Sequence, residues 1–101
     1  MNNDIAEKRK QAVTEIREQL ENIRCKFVAF ENHEIYVFET VMFEKELYVI
    51  ANILFCFGYR EQFSLWKNSN NIVNDEERID AMIVVCESFL SAVNGELHKN
   101  S

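Results

Sequence analysis

The chain has 101 residues, no proline, only two glycines, 48% hydrophobic and 28% charged residues, and a formal net charge of −6. That length suits one domain, and the apolar content excludes wholesale disorder. Too few turn residues are present for a β-sandwich or barrel, and the acidic balance opposes a nucleic-acid backbone or an anionic membrane as a direct partner.

In chain order, Asp4 followed three residues on by Glu7 forms a capping-box pattern, which predicts a helix start. Val13, Ile16, Leu20, Ile23, Phe27 and Phe30 then recur at alternating spacings of three and four. That heptad stripe predicts a helix over about 4–31, with Lys8, Lys10, Glu15, Arg17, Glu18, Glu21 and Arg24 on its solvated side. Such a helix can outrun a small core, so Val13, Ile16, Leu20, Ile23 and Phe27 are the candidate seam of a homodimer. The first 24 residues are polar and charged, so no secretory leader is expected there.

Residues 34–57 carry apolar runs rich in β-branched and aromatic side chains, which favour strands. Against strands, no turn signal interrupts the segment, and Glu44-Lys45-Glu46 suits a helix better than a hairpin loop. Gly58 stands where a helix-ending glycine belongs. One helix over 34–57 is therefore expected, apolar on all sides; the alternative is an α+β fold with strands near 35–43 and 47–57. Glu39, Glu44, Lys45 and Glu46 divide the segment, which excludes a membrane span, since one needs about 20 apolar residues. A short helix over 60–67, an Asn-Ser-Asn-Asn loop at 68–71 and a last helix over 75–94 complete the expected three- to four-helix, all-α bundle. Asn74 and Glu77 form its second capping box, and Asp75, Glu76 and Glu77 suit the positive end of the helix dipole. Its stripe is Ile79, Ile83, Cys86, Leu90, Val93 and Leu97, widened by Met82 and Phe89. Gly95 is its expected stop, with residues 1–3 and 96–101 frayed.

No arrangement carries evident chemistry. Cys25, Cys56 and Cys86 are odd in number and widely spaced, which points to a reducing, cytoplasmic setting rather than a disulfide scaffold. They sit in apolar helical stretches, where a small hydrophobe is the ordinary reading. His33 falls at a helix junction and His98 near the end of the chain, and neither has closely spaced metal ligands. Two glycines cannot build a phosphate loop. Glu39 alone is embedded among apolar residues, and if buried it needs a partner such as Arg24 or Lys26. No catalytic residue, metal or cofactor is expected.

Aromatic residues make up 12% of the chain. Either they fill a small core, or some of Tyr36, Phe43, Tyr48, Phe55, Tyr59, Phe63 and Trp66 form an exposed patch for a partner protein. Residues 51–59, with Phe63 and Trp66, resemble one tetratricopeptide-type helical hairpin: a small residue, a glycine and aromatic at the turn, then bulky side chains. The resemblance spans about a sixth of the chain and implies only a helix–turn–helix, because the second small residue, the terminal proline and a second copy are all missing. In size, acidity and proline-poor helicity the chain is also similar to small helical chaperones of bacterial secretion systems. The expected function is a non-catalytic protein-binding module, chaperone-, immunity- or inhibitor-like, in a bacterial or phage setting. The alternative is a regulator of transcription or nucleoid proteins, acting by protein contact or acidic mimicry.

Overall fold

The computed structural model describes residues 2–99, with side chains from Asp4 onward. Four helices occur among them: α1 (Asn2–Glu31), α2 (Val41–Cys56), α3 (Arg60–Asn70) and α4 (Asp75–Lys99), with a 3₁₀ turn at Val37–Thr40 before α2. No described residue lies in a strand, so the α+β alternative fails. The β-branched and aromatic runs at 35–43 and 47–57 fold as turn and helix because Leu47, Ile50, Ala51 and Leu54 bury one helical face. That tertiary burial outweighs the modest strand preference of the individual residues.

The long α1 and α4 pack along each other and set the 47 × 24 × 19 Å shape of the molecule. They run antiparallel: Arg9 near the start of α1 meets Glu96 near the end of α4, while Glu31 at the end of α1 meets Asp80 near the start of α4. The α1 stripe behaves as its spacing predicts, with Val13, Ile16, Leu20, Ile23 and Phe27 all buried. Their neighbour is α4 of the same chain, so these five residues are internal core and offer no surface to a second subunit. From α4 come Ile79, Met82, Val85, Cys86, Phe89 and Val93; Ile83, Leu90 and Leu97 lie at the margin. The α2–α3 hairpin covers this pair, α2 leaning on α1 and α3 on α4.

Several boundaries differ from the sequence expectation, each for a local reason. The expected helix over 34–57 starts only at Val41. Beforehand α1 closes with paired bonds, the His33 N–H donating to the Phe30 carbonyl (3.0 Å) and the Glu34 N–H to the Ala29 carbonyl (2.9 Å). This is the Schellman pattern, and it requires left-handed backbone at His33, φ 62°. Then Glu39, which would have needed a partner such as Arg24 or Lys26 if buried, lies exposed and accepts the Tyr36 N–H at 2.7 Å. Its carboxylate thus closes the 3₁₀ turn, and the buried Thr40 hydroxyl donates to the Val37 carbonyl at 2.7 Å.

Gly58, φ 103°, ends α2 in the same Schellman pattern, its N–H donating to Phe55 and the Tyr59 N–H to Leu54. α3 runs through the Asn-Ser-Asn stretch expected as loop, because Ser69 is buried and its hydroxyl donates to the Leu65 carbonyl at 2.9 Å. Asn74 caps α4 as predicted, its side-chain oxygen accepting the Glu77 N–H at 2.9 Å. α4 continues through Gly95, held by Glu96 and by Leu97 against the core. Of the ends expected to fray, 2–3 and 96–99 are therefore helical, and residues 1, 100 and 101 lie outside the described residues.

Candidate functional site

The seven aromatic residues singled out in the sequence divide among different environments. Trp66 is buried, Phe43, Tyr59 and Phe63 are half-buried, and Tyr36, Tyr48 and Phe55 are exposed. A continuous aromatic row crosses the α2–α3 seam: Tyr48 against Trp66 (4.8 Å between ring centres), Trp66 against Phe63 (5.7 Å) and Phe63 against Phe55 (5.1 Å). Such tilted pairs hold two helices together beyond the area they bury. The two ends of the row, Tyr48 and Phe55, are exposed, Phe63 is half-buried and Trp66 is buried.

Tyr59 is a structural anchor. Its hydroxyl donates to Glu96 at 2.6 Å, and Arg9 bonds the other oxygen of that carboxylate at 2.7 Å while lying 4.6 Å over the Phe57 ring. The Tyr59 hydroxyl holds the Glu96 carboxyl below its ordinary range, and Arg9 adds to the effect against the opposing cost of burial. In return, donating that bond to Glu96 keeps the Tyr59 phenol above its usual range. A second polar cluster was not legible in the sequence. Arg78 bonds Glu44 (2.8 Å) and Asp75 (2.9 Å) and reaches the carbonyls of Ile72 and Val73, tying the first turn of α2 to the start of α4. Long-range pairs such as Arg78–Glu44 leave no mark in local spacing.

The exposed apolar surface extends beyond the expected residues. Phe38 is 69% exposed and stacks on Tyr36, itself 73% exposed, with ring centres 5.7 Å apart. Met42 (70% exposed), Val41 and Val49 continue this surface along α2 beside Tyr48 and Phe55. The signal for these residues was available: 41, 48 and 55, and 42 and 49, recur every seven positions as two rows on either side of Lys45, Asn52 and Cys56, away from the buried set Leu47, Ile50, Ala51 and Leu54.

Two hollows flank this surface. A groove of about 370 Å³ lies between α2 and α3, lined by Val41, Glu44, Lys45, Tyr48, Trp66 and Asn70. A cleft of about 660 Å³ at the end of the bundle lies between the α1–3₁₀ connection and the start of α4, where Glu31, Glu34, Asp75 and Glu76 line it with His33 and Tyr36. Desolvation and the neighbouring Asp80 carboxyl raise the Glu31 carboxyl above its ordinary range.

Among the described residues no group of three or more His, Cys, Asp or Glu could hold a metal ion. Cys86 is buried as a small hydrophobe, and burial pushes its thiol up to about 12. Cys25 and Cys56, read in the sequence as small hydrophobes within apolar helical stretches, are exposed instead, because each lies on the outer side of its helix. No described helix is long and apolar enough to cross a membrane. Comparison with protein-family models, with curated proteins and with solved structures finds no match to this chain.

Proposed function

We propose that this chain is a non-catalytic protein-binding module that masks, inhibits or escorts a partner protein, as a chaperone, immunity protein or inhibitor does. The contact is the aromatic surface of the 3₁₀ turn that precedes α2. The supporting observation is the stacked Tyr36–Phe38 pair, two large rings presented to solvent on a turn that Glu39 holds in shape. Large exposed aromatics on a fixed backbone lose little side-chain entropy on binding, which is why such residues dominate interface hot spots. The three free cysteines favour a reducing, cytoplasmic setting, for which a bacterial or phage-infected cell is our choice.

Affinity capture from the source cells tests this function. The parent chain should retain a partner that the double variant Tyr36→Ala/Phe38→Ala loses, with equal helicity in both. A partner held equally by both would refute the proposed contact. A regulator acting by protein contact would use the same surface, and the identity of the captured partner separates it from a chaperone or inhibitor.

A further inference from the structure

The exposed side of α2 has a property that the stacked pair at the 3₁₀ turn lacks: it matches itself. Val41, Met42, Tyr48, Val49 and Phe55 are each between 41% and 70% exposed. Together they leave roughly 500 Å² of apolar side chain in water, taking about 150–250 Å² for a full large side chain. That is the upper part of what a monomer shows in one patch, about 300–600 Å². It also equals the apolar share, about 60%, of a standard interface of about 800 Å² per partner.

Charge points the same way. Copies of a chain with net charge −6 repel one another. The exposed residues of α2, however, carry one cation, Lys45, and one anion, Glu46, and are neutral in sum. The carboxylates Glu31, Glu34, Asp75 and Glu76 gather instead around the cleft at the end of the bundle.

The pattern is also two-fold. The midpoint of α2 (Val41–Cys56) falls between Tyr48 and Val49. Two copies of α2 crossing antiparallel there bring Tyr48 and Val49 of each to the two-fold axis, with Met42 and Phe55 on the flanks, and place Lys45 opposite the neutral Asn52. Each contact then occurs twice, as a closed two-fold interface requires.

We propose that the outer side of α2 is covered by α2 of a second copy of this chain, in an antiparallel two-fold dimer. Tyr36 and Phe38 lie before the first residue of α2, outside the paired helices, so this dimer goes beyond the partner-binding function and does not depend on it. Sedimentation equilibrium of the full chain from about 1 µM to about 500 µM tests it, a range that brackets interfaces of this size. The mass should rise from 12.0 kDa towards twice that value. Met42→Glu and Val49→Glu should each weaken association by at least about thirtyfold, the effect of losing a hot-spot contact. Both positions are exposed, so circular dichroism should report unchanged helicity, and Tyr36→Ala/Phe38→Ala should leave the mass curve unaltered. A parent chain that stays monomeric throughout, or a dimer indifferent to both glutamates, overturns the proposal. A monomer that still captures a partner through Tyr36 and Phe38 overturns the dimer alone, and a dimer that captures nothing overturns the partner function alone.

Discussion

His33 and Gly58 occupy the same position at the ends of α1 and α2, in left-handed backbone at φ 62° and 103°. A residue with a Cβ is disfavoured there by roughly 1–2 kcal/mol, although histidine tolerates it better than branched residues do. His33 is exposed, so little else offsets that cost. His33→Gly should therefore raise stability by about 0.5–1 kcal/mol, and Gly58→Ala should lower it by about 1 kcal/mol, both read from denaturant midpoints. The Gly58 effect comes from backbone alone, because a Cβ added there meets nothing within 4 Å. Trp66 poses a different local problem. Its indole nitrogen is buried with no hydrogen-bond partner among the described residues, a cost of about 1–3 kcal/mol. Trp66→Phe keeps a ring between Tyr48 and Phe63 and removes that donor, so it should change stability by less than about 1 kcal/mol. Trp66→Ala should cost about 3–5 kcal/mol, and equal losses for the two variants would contradict this account of the site.

At the scale of elements, legibility followed how one-sided each helix is. α1 was readable because its buried and solvated residues separate cleanly, and α4 because Asn74 and three acids mark its start. What spacing could not say is which partner a stripe faces: the α1 stripe looks the same whether it meets α4 or another chain. Leu20→Ala decides the point. It should cost about 2–5 kcal/mol of stability and leave the molecular mass at any given concentration unchanged. α2 was harder because it is apolar on both sides, and only the phase of Leu47, Ile50, Ala51 and Leu54 separates the two. The break expected at residues 32–33 runs on to Thr40, and that extension was missed for a physical reason. It depends on a histidine standing in for glycine and on a single carboxylate, Glu39, closing a turn without any turn residue. The candidate surface was legible in Tyr36, Tyr48 and Phe55, whereas Phe38, Met42 and Val49 needed the helix phase to be recognised. Trp66 and Tyr59 look like surface candidates by residue type, yet one is core and the other an anchor.

The two ends of the α1–α4 pair respond to acid in opposite ways, a clamp at one and a pair of carboxyls at the other. At one end the Glu96 carboxyl is held low in the folded state. Its contribution is thus present above the ordinary carboxylate pKa and is lost as pH falls through the lowered folded value. At the other end the Glu31 carboxyl is raised beside Asp80, so its charge opposes folding near neutrality and its protonation on acidification favours the fold. Glu96→Gln should therefore lower the melting temperature at pH 7 and flatten its fall below about pH 5, whereas Glu31→Gln should raise it at pH 7. An unchanged pH profile in Glu96→Gln would contradict the clamp with Tyr59 and Arg9. Above both ends stands the claim on which the functional proposal rests, that the apolar side of the 3₁₀ turn and α2 is surface and not core. The measurement that tests it most directly is thermal unfolding, at low micromolar concentration, of a chain carrying Tyr36→Ser, Phe38→Ser, Met42→Gln and Val49→Gln together. The account predicts unchanged helicity and a melting temperature within about 5 °C of the parent, corresponding to about 1 kcal/mol or less in a domain of this size. A fall of more than about 15 °C, or loss of the helical signal, would mean that these side chains hold the fold together and would contradict it.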